Sequence, residues 1–151
     1  MTDISWIKRV AVLGSGTMGL GIAQVAAAGG FETVLYDVSD EQLAKARARI
    51  EKNLDKGVQL GKVAAEAAAA AKARLSSTTD LAAALSGTDL MIEAVPEKLD
   101  LKREIFARAD ELMRPEGILA TNTTGLSITA IGEATKRPDK VIGMHFFNPV
   151  H

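Results

Sequence analysis

The sequence predicts an α/β fold: a mostly parallel, doubly wound sheet with helices on both faces. Three observations predict it. Short β-branched runs alternate with longer helical patterns along the chain. Several of those runs are apolar throughout, as strands covered on both faces must be. A glycine cluster sits where the first strand gives way to the first helix. The 151 residues are enough for one domain with a real core and too few for two, so residues 1–151 are read as a single unit.

The elements follow in order. Residues 9–13, Arg-Val-Ala-Val-Leu, read as the first strand, followed by a helix over 18–28 that the pair Gly29-Gly30 stops. A strand over 33–36 runs into Asp37. Helices over 41–56 and 62–73 come next, the first ending at Gly57, and lead to a strand over 74–76. A short helix over 80–85 stops at Gly87 ahead of the strand 90–94. The helix 99–113 stops at Pro115, and the strand 118–121, the helix 127–134 and the strand 141–144 complete the series.

The second connection departs from this rhythm. A parallel crossover needs one helix, yet about thirty-five residues here hold two helical segments split by "KGVQLGK". The length predicts a helical hairpin inserted between strands 2 and 3, its helices antiparallel, mobile and projecting from the sheet. Its alanine-rich second half reads as a solvated helix of high propensity and little packing.

Composition excludes several functions. Nineteen acidic and eighteen basic side chains nearly cancel, so no overall field draws the chain to nucleic acid or an anionic membrane. The absence of cysteine removes disulfides and thiolate metal sites, and no metal site is expected. The opening "MTDISWIKRV" lacks the order of a signal peptide. The expectation is a soluble cytoplasmic protein with no nucleic-acid or membrane partner.

The glycine cluster is "VAVLGSGTMGLGIAQ", with Gly14, Gly16 and Gly19 spaced G-x-G-x-x-G between an apolar strand and an amphipathic helix. Alone such spacing can be a turn. In this context Gly14 allows the tight turn, Gly16 lets the backbone approach a pyrophosphate, and Gly19 lets the helix lie close to the strand. The helix start at Thr17 and Met18 offers free N–H groups and a favourable dipole to phosphates. Asp37 comes eighteen positions after Gly19, where a carboxylate can accept from both hydroxyls of an adenosine ribose. No arginine follows it to receive a 2′-phosphate, so the pattern reads as NAD rather than NADP on a Rossmann-type sheet.

Ligands of such sheets lie beyond the carboxyl ends of the strands. There the sequence places Glu97 and Lys102 in "MIEAVPEKLDLK" and Asn122 and Thr124 in "LATNTTGLSI". Taken singly, the first two read as a solvated pair opening a helix and the last two as turn residues. His145, alone at a strand end, reads as structural.

Together these pieces lose that reading. "GSGTMG", Asp37, "EAVPEKLDLK", "TNTTGLSI" and "GMHFFNPVH" stand in order and spacing that resemble the NAD-binding domain of the 3-hydroxyacyl-CoA dehydrogenases, over essentially the whole chain. The resemblance implies reversible NAD-dependent oxidation of a 3-hydroxyacyl-CoA, with His145 as the base that takes the 3-hydroxyl proton. Imidazole as a residue type suits that task. It also implies that Thr124, where the family usually has serine, hydrogen-bonds the substrate oxygen. Glu97, Lys102, Asn122 and Asn148 would border the nicotinamide and its ribose, and Val95 and Pro96 would line the approach. Asn53 and Lys56 on the hairpin would contact CoA. In the family a carboxylate beyond the histidine orients the imidazole, and a helical C-terminal domain closes the cleft and forms a homodimer. Both fall outside this sequence, which is therefore expected to be the cofactor half of the enzyme and a poor catalyst alone. Two other readings remain open here: a non-catalytic NAD-binding module, and a dehydrogenase of 3-hydroxy acids not attached to CoA.

Overall fold

Strand β1 (Arg9–Leu13) leads through the glycine loop to helix α1 (Thr17–Ala28), and β2 (Glu32–Tyr36) follows. Helices α2 (Asp40–Gln59) and α3 (Ala65–Arg74) precede β3 (Leu75–Thr78). Then come α4 (Leu81–Leu85), β4 (Leu90–Glu93), α5 (Leu99–Leu112), β5 (Ile118–Thr121), α6 (Ile128–Gly132), a 3-10 turn at Pro138–Lys140 and β6 (Val141–Gly143). This computed structural model describes residues 2–151. Helical crossovers join the strands, and all five strand pairings are parallel. The order β3-β2-β1-β4-β5-β6 reverses between β1 and β4. That reversal opens a crevice at the carboxyl ends of the strands.

Alternation along β1 divides the core. Val10 and Val12 face α1, α2 and α3, whereas Ala11 and Leu13 face α4, α5 and α6. Each Leu or Ile buried in this way stabilises the fold by about 1.5–3 kcal/mol. Helix α2 presents Leu43, Ala46, Ile50 and Leu54 on one stripe, and Ser39 caps it by accepting from the Gln42 N–H at 3.2 Å. Among the described residues, no helix is long and apolar enough to cross a membrane.

The predicted hairpin exists, and its helices run antiparallel: Arg47 donates to the Leu75 carbonyl, Lys72 pairs with Asp55, and Gly57 meets Val63. It does not stand off the sheet. Leu43, Ile50 and Leu54 share one core with Val12 and Ile22, and so do Ala68 and Ala71, which are 3% and 0% exposed. The expectation of a solvated second helix is corrected here. Small side chains let α3 approach α1, and Arg74 ties the two by donating to the Ala27 carbonyl at 3.0 Å. The outer faces of both helices are exposed, and so is the far end with Lys56, Gln59, Leu60 and Lys62. Gly57 does not end α2, which runs on to Gln59; it leaves room for Val63, whose Cγ2 would lie 2.8 Å from an added Cβ. Asp80 and Ser127 proved to be caps rather than first helical residues.

Candidate active site

The phosphate loop is held by contacts that tolerate no side chain. Gly14 has φ +102°, and a Cβ there would lie 2.6 Å from the Ala94 carbonyl oxygen. A Cβ on Gly19 would lie 1.7 Å from the Gly14 carbonyl oxygen, so α1 rests directly on the loop. Gly16 differs, because nothing lies within 4 Å of the place its Cβ would occupy. It is the N-cap of α1 without a side-chain cap, which leaves the first-turn N–H groups at Thr17 and Met18 free for an anion. Gly14, Gly16, Thr17 and Met18 line a cleft of about 1060 Å³ that also meets Asp37, Val95 and Pro96.

Asp37 sits at the end of β2, facing the loop. Its Oδ2 accepts from the Ser15 N–H at 3.0 Å and the Ser15 hydroxyl at 2.7 Å, and Oδ1 accepts from the Ser39 N–H at 3.3 Å. Burial alone would raise its pKa, but the Ser15 and Ser39 hydrogen bonds and one from the Val38 backbone outweigh it and hold the carboxyl below the usual range. Oδ2 already has two donors, so Oδ1 is the freer acceptor for a ribose hydroxyl.

The ends of β4 and β5 carry a charged network. Glu93 is fully buried and accepts from Lys102 Nζ at 2.5 Å, the Val95 N–H at 2.8 Å and the Thr121 hydroxyl at 2.7 Å. Lys102 also donates to the Val95 carbonyl at 3.2 Å and lies 3.3 Å from Glu97 Oε1. Glu97 in turn accepts from the Thr123 hydroxyl at 2.8 Å and the Thr124 N–H at 2.9 Å. Partial burial would raise the Glu97 pKa; these donors and the Lys102 charge lower it overall. Lys102, 2% exposed, is no member of a solvated pair. Sequence reasoning missed Ser15, Glu93, Thr121 and Thr123. A signal existed for Glu93: a lone acid in the apolar run "LMIEAV" requires a partner.

A strap after β6 brings in the histidine. The Met144 N–H donates to the Thr121 carbonyl and the Phe146 N–H to Asn122 Oδ1 at 2.8 Å, so the strap lies across the end of β5. It then reaches α1, where Val150 fills the space beside Gly21. His145 is exposed, with the Phe147 ring 5.1 Å away, and no hydrogen bond or ion pair holds it among the described residues. Thr124 and Asn148 are exposed as well. On the hairpin, Asn53 donates to Gln24 of α1 at 2.9 Å, while Lys56 is exposed in the last turn of α2.

Among the described residues no acidic, histidine or cysteine cluster could hold a metal. The cleft fits a dinucleotide instead. Nothing stands where a Cβ on Gly16 would lie, Asp37 lines one wall, and Ala94, Val95 and Pro96 after β4 line another.

Known proteins agree with this geometry. Residues 9–151 match the family model described as 3-hydroxyacyl-CoA dehydrogenase, NAD binding domain. The chain is 47% identical over 142 residues to a 3-hydroxybutyryl-CoA dehydrogenase of Clostridioides difficile, covering 94% of this chain and 50% of that one. It is 46% identical over 143 residues to a 3-hydroxyadipyl-CoA dehydrogenase of Escherichia coli, covering 95% of this chain and 30% of the relative. A crystal structure of 3-hydroxybutyryl-CoA dehydrogenase from E. coli superimposes with a TM-score of 0.93 at 46% identity, over 95% of this chain and 30% of that one. The chain thus spans half or less of these relatives' length. Within that span the fold coincides, and the chain belongs to the 3-hydroxyacyl-CoA dehydrogenase family as its NAD-binding domain.

Proposed function

We propose that the chain serves the reversible, NAD-dependent oxidation of a 3-hydroxyacyl-CoA to the 3-oxoacyl-CoA. When bound in the cleft, NAD supplies the hydride acceptor. The phosphate loop and Asp37 fix the adenosine half, leaving the β4 and β5 loops to receive the other. His145 takes the proton of the substrate's 3-hydroxyl and returns it in the reverse reaction. Thr124 donates its hydroxyl to the same oxygen. Val95 and Pro96 line the approach, and Asn122 and Asn148 border the nicotinamide side. Lys56, at the exposed end of the hairpin, serves the CoA phosphates, with Asn53 one turn before it.

One observation carries this reading. The hydrogen bond from the Phe146 N–H to Asn122 Oδ1 fastens the residue after His145 to the strand end that carries Thr124. His145 and Thr124 follow β6 and β5 at the carboxyl edge of the parallel sheet, the edge at which the phosphate loop leaves β1. The cytoplasm as the place of action, and a homodimer formed through a helical domain outside these 151 residues, belong to the same proposal. The test is acetoacetyl-CoA reduction by this domain joined to the segment that completes its relatives' length. The reading predicts turnover that His145→Gln reduces by about four orders of magnitude, the scale on which wrongly held triads fail. Turnover untouched by that substitution would reject His145 as the base.

A further inference from the structure

The buried Glu93 has no part in the chemistry above, yet three donors converge on it. Stability alone gives little reason for a buried ion pair, because an apolar pair of similar volume serves as well or better. The Glu93–Lys102 pair instead reaches outward. The Lys102 ammonium has three protons and three acceptors: Glu93, the Val95 carbonyl and Glu97. Glu97 then holds the turn after β5 through the Thr123 hydroxyl and the Thr124 N–H. Two loops from different strands, 95–97 and 123–125, are thus braced from one carboxylate in the sheet. No hydrogen bond of this network reaches the phosphate loop or Asp37; Gly14 only packs against the Ala94–Val95 peptide.

We propose that Glu93 is a positioning residue for the nicotinamide half of the cofactor, acting through Lys102 and Glu97 on the loops that receive it. This rests on the NAD reading above. Gln at position 93 keeps the shape but offers one acceptor and one donor to three donors, so at least one loses its partner. Lys102 is then drawn toward Glu97, which loosens its hold on Thr124. The adenosine half should not register the change.

The experiment compares two probes on the 151-residue chain. NADH carries both halves; ADP carries the adenosine and the phosphates but neither the nicotinamide nor its ribose. Calorimetry gives both Kd values for the unaltered chain and for Glu93→Gln, with thermal midpoints alongside. The expected result is a loss in NADH affinity of about tenfold or more, with ADP affinity kept within about twofold. Equal losses for both probes, or a lower midpoint with an unchanged NADH:ADP ratio, would mark a purely structural role and overturn the proposal. Should Glu93→Gln fail to fold, Thr121→Val, which removes the neutral donor on Oε1 together with the acceptor of the Thr123 N–H, should move the same ratio by about threefold; an unmoved ratio there overturns it equally. An unaltered chain that binds ADP but gains nothing from the nicotinamide half sinks this inference alone. One that binds neither sinks the NAD reading and this inference with it.

Discussion

Gly21 lies inside α1, where glycine costs a helix about 1 kcal/mol relative to alanine. Its neighbour explains it: an added Cβ would lie 2.9 Å from Val150 Cβ and 3.0 Å from Val150 Cγ2. Ordinary carbon contacts need about 3.5–4.0 Å. Gly21→Ala should therefore push the strap outward by roughly 0.5–1 Å, the shortfall between those distances. Val150 is only partly buried, so its retreat costs about 1 kcal/mol, a fraction of full burial. The two stability effects nearly cancel, and the thermal midpoint should move by no more than about 4 °C. Turnover should respond more strongly, because the strap carries His145 and a misplacement of about 1 Å can cost about a hundredfold. The assay measures thermal midpoint, NADH affinity and acetoacetyl-CoA turnover in the domain completed to its relatives' length. Unchanged turnover with an intact fold, or a loss explained by weaker NADH binding, would refute the view that Val150 seats the strap.

Three more outcomes are expected. NAD should bind at least about tenfold more tightly than NADP, and Asp37→Ala should narrow that gap in calorimetry; equal affinities for the unaltered chain would reject Asp37 as the discriminating residue. Asp37 and Glu97 both have depressed carboxyl pKa values, so the stability they add is fully present above the unfolded values of about 4 and is lost as pH falls through the folded ones. Urea midpoints measured from neutral to acid pH should show this loss, and Ser15→Ala, which removes one stabilising donor, should shrink it. On the hairpin, Ala71→Leu should destabilise by about 1–3 kcal/mol through overpacking, whereas Ala69→Leu, on the exposed face, should stay within about 0.5 kcal/mol in denaturant unfolding.

The residues legible in the sequence were those whose role is local. Gly14, Gly16 and Gly19 declare themselves because turn, phosphate approach and helix contact each need a missing Cβ at a fixed offset, and the strand periods place Asp37 at the next strand end. The β-branched runs marked all six strands to within two residues at either end. What stayed hidden depends on partners distant in sequence. Ala68 and Ala71 are buried and Ala67 and Ala69 exposed, yet a run of alanines carries no contrast from which a buried face can be read. Lys102 looked solvated because its partner, Glu93, lies nine residues away on another element and becomes a neighbour only once α5 packs on the sheet. Ser15 gives no signal of its own, because Asp37, 2.7 Å from its hydroxyl, becomes a neighbour only when β2 pairs with β1.

The most direct test pairs an NADH titration of the 151-residue chain with its acetoacetyl-CoA turnover, measured beside the domain completed to its relatives' length. The phosphate loop and Asp37 belong wholly to this chain, so saturable NADH binding is predicted. Among the described residues no hydrogen bond orients His145, so turnover should fall at least about a thousandfold below the completed protein, given that a misheld base costs about four orders of magnitude in a comparable triad. Absence of saturable NADH binding, or turnover close to that of the completed protein, would contradict the account.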